Sequence, residues 1–162
     1  MITLSILSPS DCTSQALTDF ENLVIEAGTV DPEGLTQRIR DASRLLFLRE
    51  SNGQLVGAGA LKHPLLSYRS KVFAKAGTTT PPDEYPIELG WIAVAKSHQR
   101  RGLWRRIIGQ LISLAENENL FASNSLCDGK PYPSGRGYDL VLYLRNAGET
   151  KQVVLSDGQA PG

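Results

Sequence analysis

ELGWIAVAKSHQRRGLWRRIIGQLISLAENE, residues Glu88 to Glu118, is the stretch from which the fold can be read. Ile87 to Val94 is apolar or small apart from Glu88, with the β-formers Ile92 and Val94 near its end, and predicts a strand. A polar turn, AKSHQRR, follows. Then Leu103, Ile107, Leu111 and Leu114 recur every three to four residues, backed by Ile108, Ile112 and Ala115, and predict an amphipathic helix. Gly102 stands at the mouth of that helix, where the first N–H groups have no intrahelical partners and the dipole is positive. Arg100, Arg101, Arg105 and Arg106 crowd around it. Basic side chains at a helix start oppose the dipole, so their clustering favours an anion such as a phosphate over the alternative, plain packing of a strand–helix crossover.

Upstream, Ile2 to Leu7 predicts a strand stopped by Ser8-Pro9. From Asp11 the pattern becomes helical, with Leu17, Phe20, Leu23 and Val24 on one face and an end near Ala27-Gly28. Asp31-Pro32 reads as an N-cap and first position for a short second helix carrying Leu35, Ile39 and Ala42. Arg44 to Glu50 and Leu55 to Leu61 flank Ser51-Asn52-Gly53-Gln54, a hairpin signal. Gly57 and Gly59 in the second of these strands allow a close approach on one face, by another element first and by a ligand as the alternative. His63 to Pro82 is long for a hairpin loop; Leu66 to Ala76 predicts a basic helix closed by Gly77. Such an insertion suits a lid or substrate-selecting element, and its Arg69, Lys71 and Lys75 equally suit a solvated face.

Downstream, Asn119 to Ala122 reads as a strand, and Tyr138 to Arg145 pairs with Lys151 to Leu155 as a second hairpin. Between them Ser123 to Gly137 is dense in turn formers and has no helical period. The expected organisation is one domain over residues 1–156 with a tail at 157–162.

Seventeen basic and seventeen acidic residues cancel, so no global field draws nucleic acid or an anionic membrane. No apolar run approaches the ~18 residues of a membrane span, and Cys12 and Cys127 have no metal-binding spacing. His63 and His98 are far apart with no carboxylate at ligand spacing, so no metal site is expected. A cytoplasmic protein with reduced thiols is the expectation.

VAKSHQRRGLWRRIIGQLI resembles the acyl-CoA-binding motif of the GNAT acetyltransferases, Gln/Arg-x-x-Gly-x-Gly/Ala between that family's strand four and helix three. Gln99 takes the first position and Gly102 the fourth; Trp104 stands sixth, where the family prefers Gly or Ala. The resemblance implies an α/β fold: a mostly antiparallel mixed sheet of six to seven strands, flanking helices and a splayed central parallel pair. It implies acetyl-CoA as co-substrate. The N–H groups from Arg100 through Arg101, Gly102, Leu103 and Trp104 to Arg105 would hold the diphosphate, and backbone at Ile92, Ala93 and Val94 would hold the thioester arm. Gly90 suggests the bulge that opens the family's central strands. The family's fourth helix, between strands five and six, is missing or reduced to a turn here, and its loss would uncover apolar sheet for a partner or homodimer.

Acyl transfer to an amine needs a base, a polarised carbonyl and an acid for the departing thiolate. Glu88, an acidic residue in an apolar strand, is the candidate base, on one face with Ile92 and Val94 by strand alternation. Its plainer reading is a strand-end carboxylate paired with an arginine. Asp83 and Glu84 are weaker substitutes. Tyr132, Tyr138 and Tyr143 are candidates for the acid that the resemblance implies, with Tyr138 the choice. The expectation is therefore an N-acetyltransferase whose acceptor is a small-molecule or protein amine. An acyl-CoA-binding regulatory domain and a protein-interaction module using the sheet face are the alternatives.

Overall fold

The computed structural model describes residues 1–28, 30–125, 140–148 and 154–155. In chain order the elements are β1 (Thr3–Leu7), α1 (Ser14–Glu26), α2 (Leu35–Arg40), β2 (Arg44–Arg49), β3 (Leu55–Lys62), α3 (Leu66–Ala76), β4 (Ile87–Val94), α4 (Leu103–Leu114), β5 (Leu120–Ser125), β6 (Leu140–Arg145) and β7 (Val154–Leu155). Hydrogen bonds order the strands as in the chain, from β1 to β7. The pairs β1/β2, β2/β3, β5/β6 and β6/β7 are antiparallel, and β4/β5 is parallel. The expected mixed α/β fold is what the chain adopts. Two compact units can be distinguished, Met1–Lys62 with Leu89–Leu114, and His63–Glu88 with Ala115–Gly162.

In the first unit, β2 and β3 meet through the predicted Asn-Gly turn. Gly53 has φ 90°, and the Asn52 side chain accepts from the Gln54 N–H at 3.0 Å. Strand alternation then sorts the faces. Leu45 and Phe47, opposite Ala60 and Ala58, pack on Phe20, Leu23 and Val24 of α1 and on Leu35 and Ile39 of α2. Leu46 and Leu48 lie opposite Gly59 and Gly57 on the other face. There α4 comes so close that a Cβ on Gly59 would sit 2.6 Å from Ile107 Cγ2 and 2.9 Å from Leu111 Cδ1. The two glycines are thus explained by packing, not by a ligand.

α1 is capped by Thr13, whose Oγ1 accepts from the Ala16 N–H at 3.0 Å. α2 departs from the Asp31-Pro32 expectation: it begins at Leu35, with Gly34 as N-cap at φ 69°. Asp31 instead spends its carboxylate on the Glu33 N–H, and Pro32 C=O accepts from Leu35. Both polar groups close a tight turn ahead of the helix.

In the second unit, α3 spans the predicted residues and ends at Gly77, φ 74°, whose N–H caps the last turn. It buries Val72, Phe73 and Ala76 against Tyr85, Phe121, Leu142 and Leu144, with Phe73 edge-on to Phe121 at 5.3 Å. Arg69 does not belong to a solvated face. Its guanidinium donates to Pro64 C=O at 3.3 Å, Pro82 C=O at 2.8 Å and Tyr85 C=O at 3.3 Å. The parallel pairing of β4 with β5 covers only Ile87↔Leu120 and Glu88↔Phe121. β5 runs to Ser125, further than expected. The stretch at 126–139, on which the missing-helix expectation and its dimer argument rest, lies outside the described residues, as do Cys127, Tyr132 and Tyr138.

Candidate active site

In β4, the predicted irregularity at Gly90 falls one residue later. Trp91 has φ 50°, a left-handed conformation that costs a bulky residue strain. Its surroundings hold it there. The indole lies edge-on to Phe20 at 6.3 Å, and Lys62 Nζ sits 4.3 Å from the ring centroid. Trp91 is therefore a packing residue, as its apolar context suggests. Past it, Ala93 joins the α1 cluster while Ile92 reaches the α4 side beside Gly59. Regular alternation does not run through a left-handed residue, so parity no longer relates Glu88 to Ile92 and Val94.

The chain leaves β4 through a single 3-10 turn, Lys96–His98, and reaches α4 through two left-handed residues, Arg100 at φ 63° and Gly102 at φ 77°. The first bond of the α4 ladder runs from the Arg106 N–H to Gly102 C=O at 3.2 Å. The amides of Leu103, Trp104 and Arg105 precede it and have no partner within the helix. Beside them is a cavity of about 470 Å³, within the first unit. Nine of the ten residues expected to bind acyl-CoA line it: Ile92, Ala93, Val94, Gln99, Arg100, Gly102, Leu103, Trp104 and Arg105. Arg101 does not. Ala27 and His98, which the sequence did not single out, complete the lining.

Trp104 is 57% exposed. Its indole does not turn into the core, and the residue is among those that line the cavity. Arg100, Arg101, Arg105 and Arg106 are all exposed, and among the described residues none is in an ion pair. Gln99 folds back, its Nε2 3.4 Å from Val94 C=O.

The turn is anchored by His98, which is buried. Its Nε2 lies 2.6 Å from Glu50 Oε1, and its Nδ1 2.7 Å from Ser97 Oγ. That hydrogen bond holds the Glu50 carboxyl below its ordinary range, and the positive charge of Arg101 acts in the same direction. An ionised carboxylate can only accept, so Nε2 carries the proton. Glu50 and His98 are 48 positions apart, and neither has a local pattern that reveals the other.

Glu88 is 3% exposed, and its Oε2 accepts from the Tyr68 hydroxyl at 3.2 Å. Tyr68 comes from α3 and was not legible as a site residue. Asp83 and Glu84 are exposed, in a 3-10 turn at Pro82–Glu84. Tyr143 is half-buried on β6, opposite Ala122. Among the described residues, no group of three or more His, Cys, Asp or Glu converges as a metal site would require, and no helix is long and apolar enough to cross a membrane.

Comparison with known proteins gives the family and the fold. The model of the Acetyltransferase (GNAT) family matches residues 14–126. No curated protein matches in sequence. Solved structures share the fold at low identity. An acyl-CoA N-acyltransferase from Pseudomonas aeruginosa aligns with TM-score 0.57 and 13% identity over 77% of this chain and 80% of its own. Escherichia coli ElaA aligns with TM-score 0.54 and 12% identity over 78% and 80%. Tetrahymena GCN5 aligns with TM-score 0.54 and 16% identity over 75% and 70%. The family match covers the strand, the left-handed turn and the helix that frame the cavity, and the chain belongs to the GNAT family of acetyltransferases.

Proposed function

We propose that this chain transfers an acetyl group from acetyl-CoA to a primary amine by direct attack within a ternary complex. The observation that carries the reading is the cavity of about 470 Å³ at the first turn of α4. Three features make it suit a diphosphate. Amides stand ahead of the helix ladder, and four guanidiniums lie exposed nearby. At Gly102 a Cβ would meet nothing within 4 Å, so the approach is open. The amides of residues 100–105 would hold the diphosphate, and backbone at Ile92, Ala93 and Val94 the thioester arm. Acetyl-CoA supplies the activated acyl group.

Glu88 is the base in this reading: a buried carboxylate, held by a tyrosine, that takes the proton the ammonium must lose before the neutral amine attacks. Tyr138, the acid proposed for the thiolate, lies outside the described residues.

Calorimetric titration with acetyl-CoA, followed by thiol release with a library of amines, tests the reading. Binding and turnover are expected, and Glu88→Gln should keep acetyl-CoA affinity while lowering kcat by about 10²–10⁴-fold. Absence of acetyl-CoA binding would end the proposal. Binding with no amine acetylated would leave an acyl-CoA-binding domain instead.

A further inference from the structure

We infer that Trp104 is the base-binding residue of the cavity, a platform on which the adenine of acetyl-CoA stacks. This rests on the reading of the cavity as the acetyl-CoA site.

The chain's two indoles stand in different surroundings. Trp91 is half-buried, edge-on to Phe20 and with Lys62 over its ring. Trp104 is exposed, and among the described residues no aromatic ring or cation packs on it. Yet it does not belong to a polar face. Trp104, Ile108 and Ile112 follow one another at four-residue spacing and so form one row along α4. Ile112 is buried, Ile108 half-buried and Trp104 exposed. The apolar row therefore runs on past the core to the end of the helix where the cavity lies. Single exposed apolar residues are ordinary on a surface, but this one lines a cavity.

Its position suits one part of the ligand. Cα–Cβ bonds in a helix tilt toward its N-terminus, so the Trp104 side chain sets off toward the cavity end of α4. There the amides of Leu103, Trp104 and Arg105 precede the hydrogen-bonded ladder. A CoA diphosphate at those amides has two arms. The thioester arm is assigned to backbone at Ile92, Ala93 and Val94. The other arm is a ribose that carries adenine, so one sugar separates the base from the phosphates. Only its own Cα and Cβ separate the Trp104 amide from the Trp104 ring. A diphosphate on the amide thus brings the base within reach of the indole.

The chemistry favours a stack over recognition of the base edge. An indole offers a flat π face, and every base has one to lay against it. The polar edge of adenine then stays in water and needs no buried partner. Arg100 and Arg105, exposed and lining the same cavity, supply the charge that phosphates attract. The GNAT pattern has Gly or Ala at the Trp104 position, so the platform belongs to this chain and not to the motif.

Calorimetry and NMR of acetyl-CoA with the full chain test the inference. Because Trp104 is exposed, its replacement leaves the core intact. Trp104→Ala should raise the acetyl-CoA Kd about tenfold, within the range of a base–aromatic stack. Trp104→Leu keeps an apolar side chain without a π face and should lose as much, whereas Trp104→Phe keeps a smaller face and should lose less. In the parent, bound acetyl-CoA should show its adenine ring protons shifted upfield by the indole ring current. At saturating Trp104→Leu that shift should be gone. An unchanged Kd in Trp104→Ala overturns the inference, as does a leucine variant that binds as tightly as the parent. Upfield shifts on the pantoyl methyl groups instead of the adenine also overturn it, because the indole would then cover the thioester arm. Each of those results leaves the cavity as the acetyl-CoA site. A parent that binds no acetyl-CoA removes that reading, and this inference with it.

Discussion

His98 Nε2 and Glu50 Oε1 lie 2.6 Å apart, joining the end of the β2–β3 hairpin to the turn that opens α4. The bond fixes the segment that lines the cavity, and it makes part of the fold's stability depend on pH. Glu50 sits below its ordinary value of 4.5 in the folded chain, chiefly through the hydrogen bond from His98. A carboxyl whose folded value is depressed stabilises the fold above its unfolded value, and that stabilisation is lost as pH falls through the folded one. Urea midpoints measured from neutral pH down to about pH 3 should begin to fall as the pH drops through 4.5, the ordinary value. Glu50→Gln should lower the midpoint at neutral pH and flatten the profile in that acid window. A variant profile parallel to the parent's would show that Glu50 does not carry the dependence.

Gly59 tests the packing of α4 on β3. An added Cβ would lie 2.6 Å from Ile107 Cγ2, 2.9 Å from Leu111 Cδ1 and 3.0 Å from Ile92 Cδ1, so three side chains must shift together. Overpacking of this kind costs about 1–3 kcal/mol, more than the ~0.4–1 kcal/mol an alanine recovers from the unfolded chain. Gly59→Ala should destabilise by about 1–2 kcal/mol in urea unfolding. A stabilised variant would mean that the interface is looser than these distances.

Gly102 and Gly109 make a matched pair. Neither Cβ would meet an atom within 4 Å, but Gly102 has φ 77° and Gly109 lies inside α4. Gly109→Ala should stabilise by roughly 0.5–1 kcal/mol through helix propensity. Gly102→Ala should destabilise by about 1–2 kcal/mol from backbone strain alone, and weaken acetyl-CoA binding by re-aiming the amides of the first turn. Equal effects at the two positions, read by urea unfolding and calorimetry, would contradict this account.

Trp104 offers an optical readout of the cavity. Its indole is largely exposed and lines the wall, whereas Trp91 is packed on Phe20. Acetyl-CoA should change tryptophan fluorescence, and Trp104→Phe should abolish the change while altering stability by no more than about 0.5 kcal/mol. A signal that survives in Trp104→Phe would place the ligand elsewhere.

The parts of the fold that local pattern determines were legible in the sequence. The helical period and closing glycine of Leu66–Ala76, the Asn52-Gly53 turn and the strand–turn–helix around Gly102 each carry their own signal over a few residues. The α2 start is not legible, because Asp31 and Pro32 suit a tight turn as well as a cap, and only the backbone at Gly34 distinguishes them. Sequence reasoning assigns the irregularity in β4 to glycine, the residue that tolerates it, whereas the left-handed residue is Trp91, packed between Phe20 and Lys62. Glu50 with His98 and Tyr68 with Glu88 were out of reach. Each partnership joins positions far apart in sequence, and no spacing rule connects them.

A single guanidinium, that of Arg69, gathers carbonyls from both ends of the segment that carries α3. The segment is thereby closed on itself much as a clasp closes a loop, and its geometry depends little on what occupies its outward positions. Residues at those outward positions can therefore be exchanged while the clasp, and the neighbouring strand that carries Glu88, stay as they are.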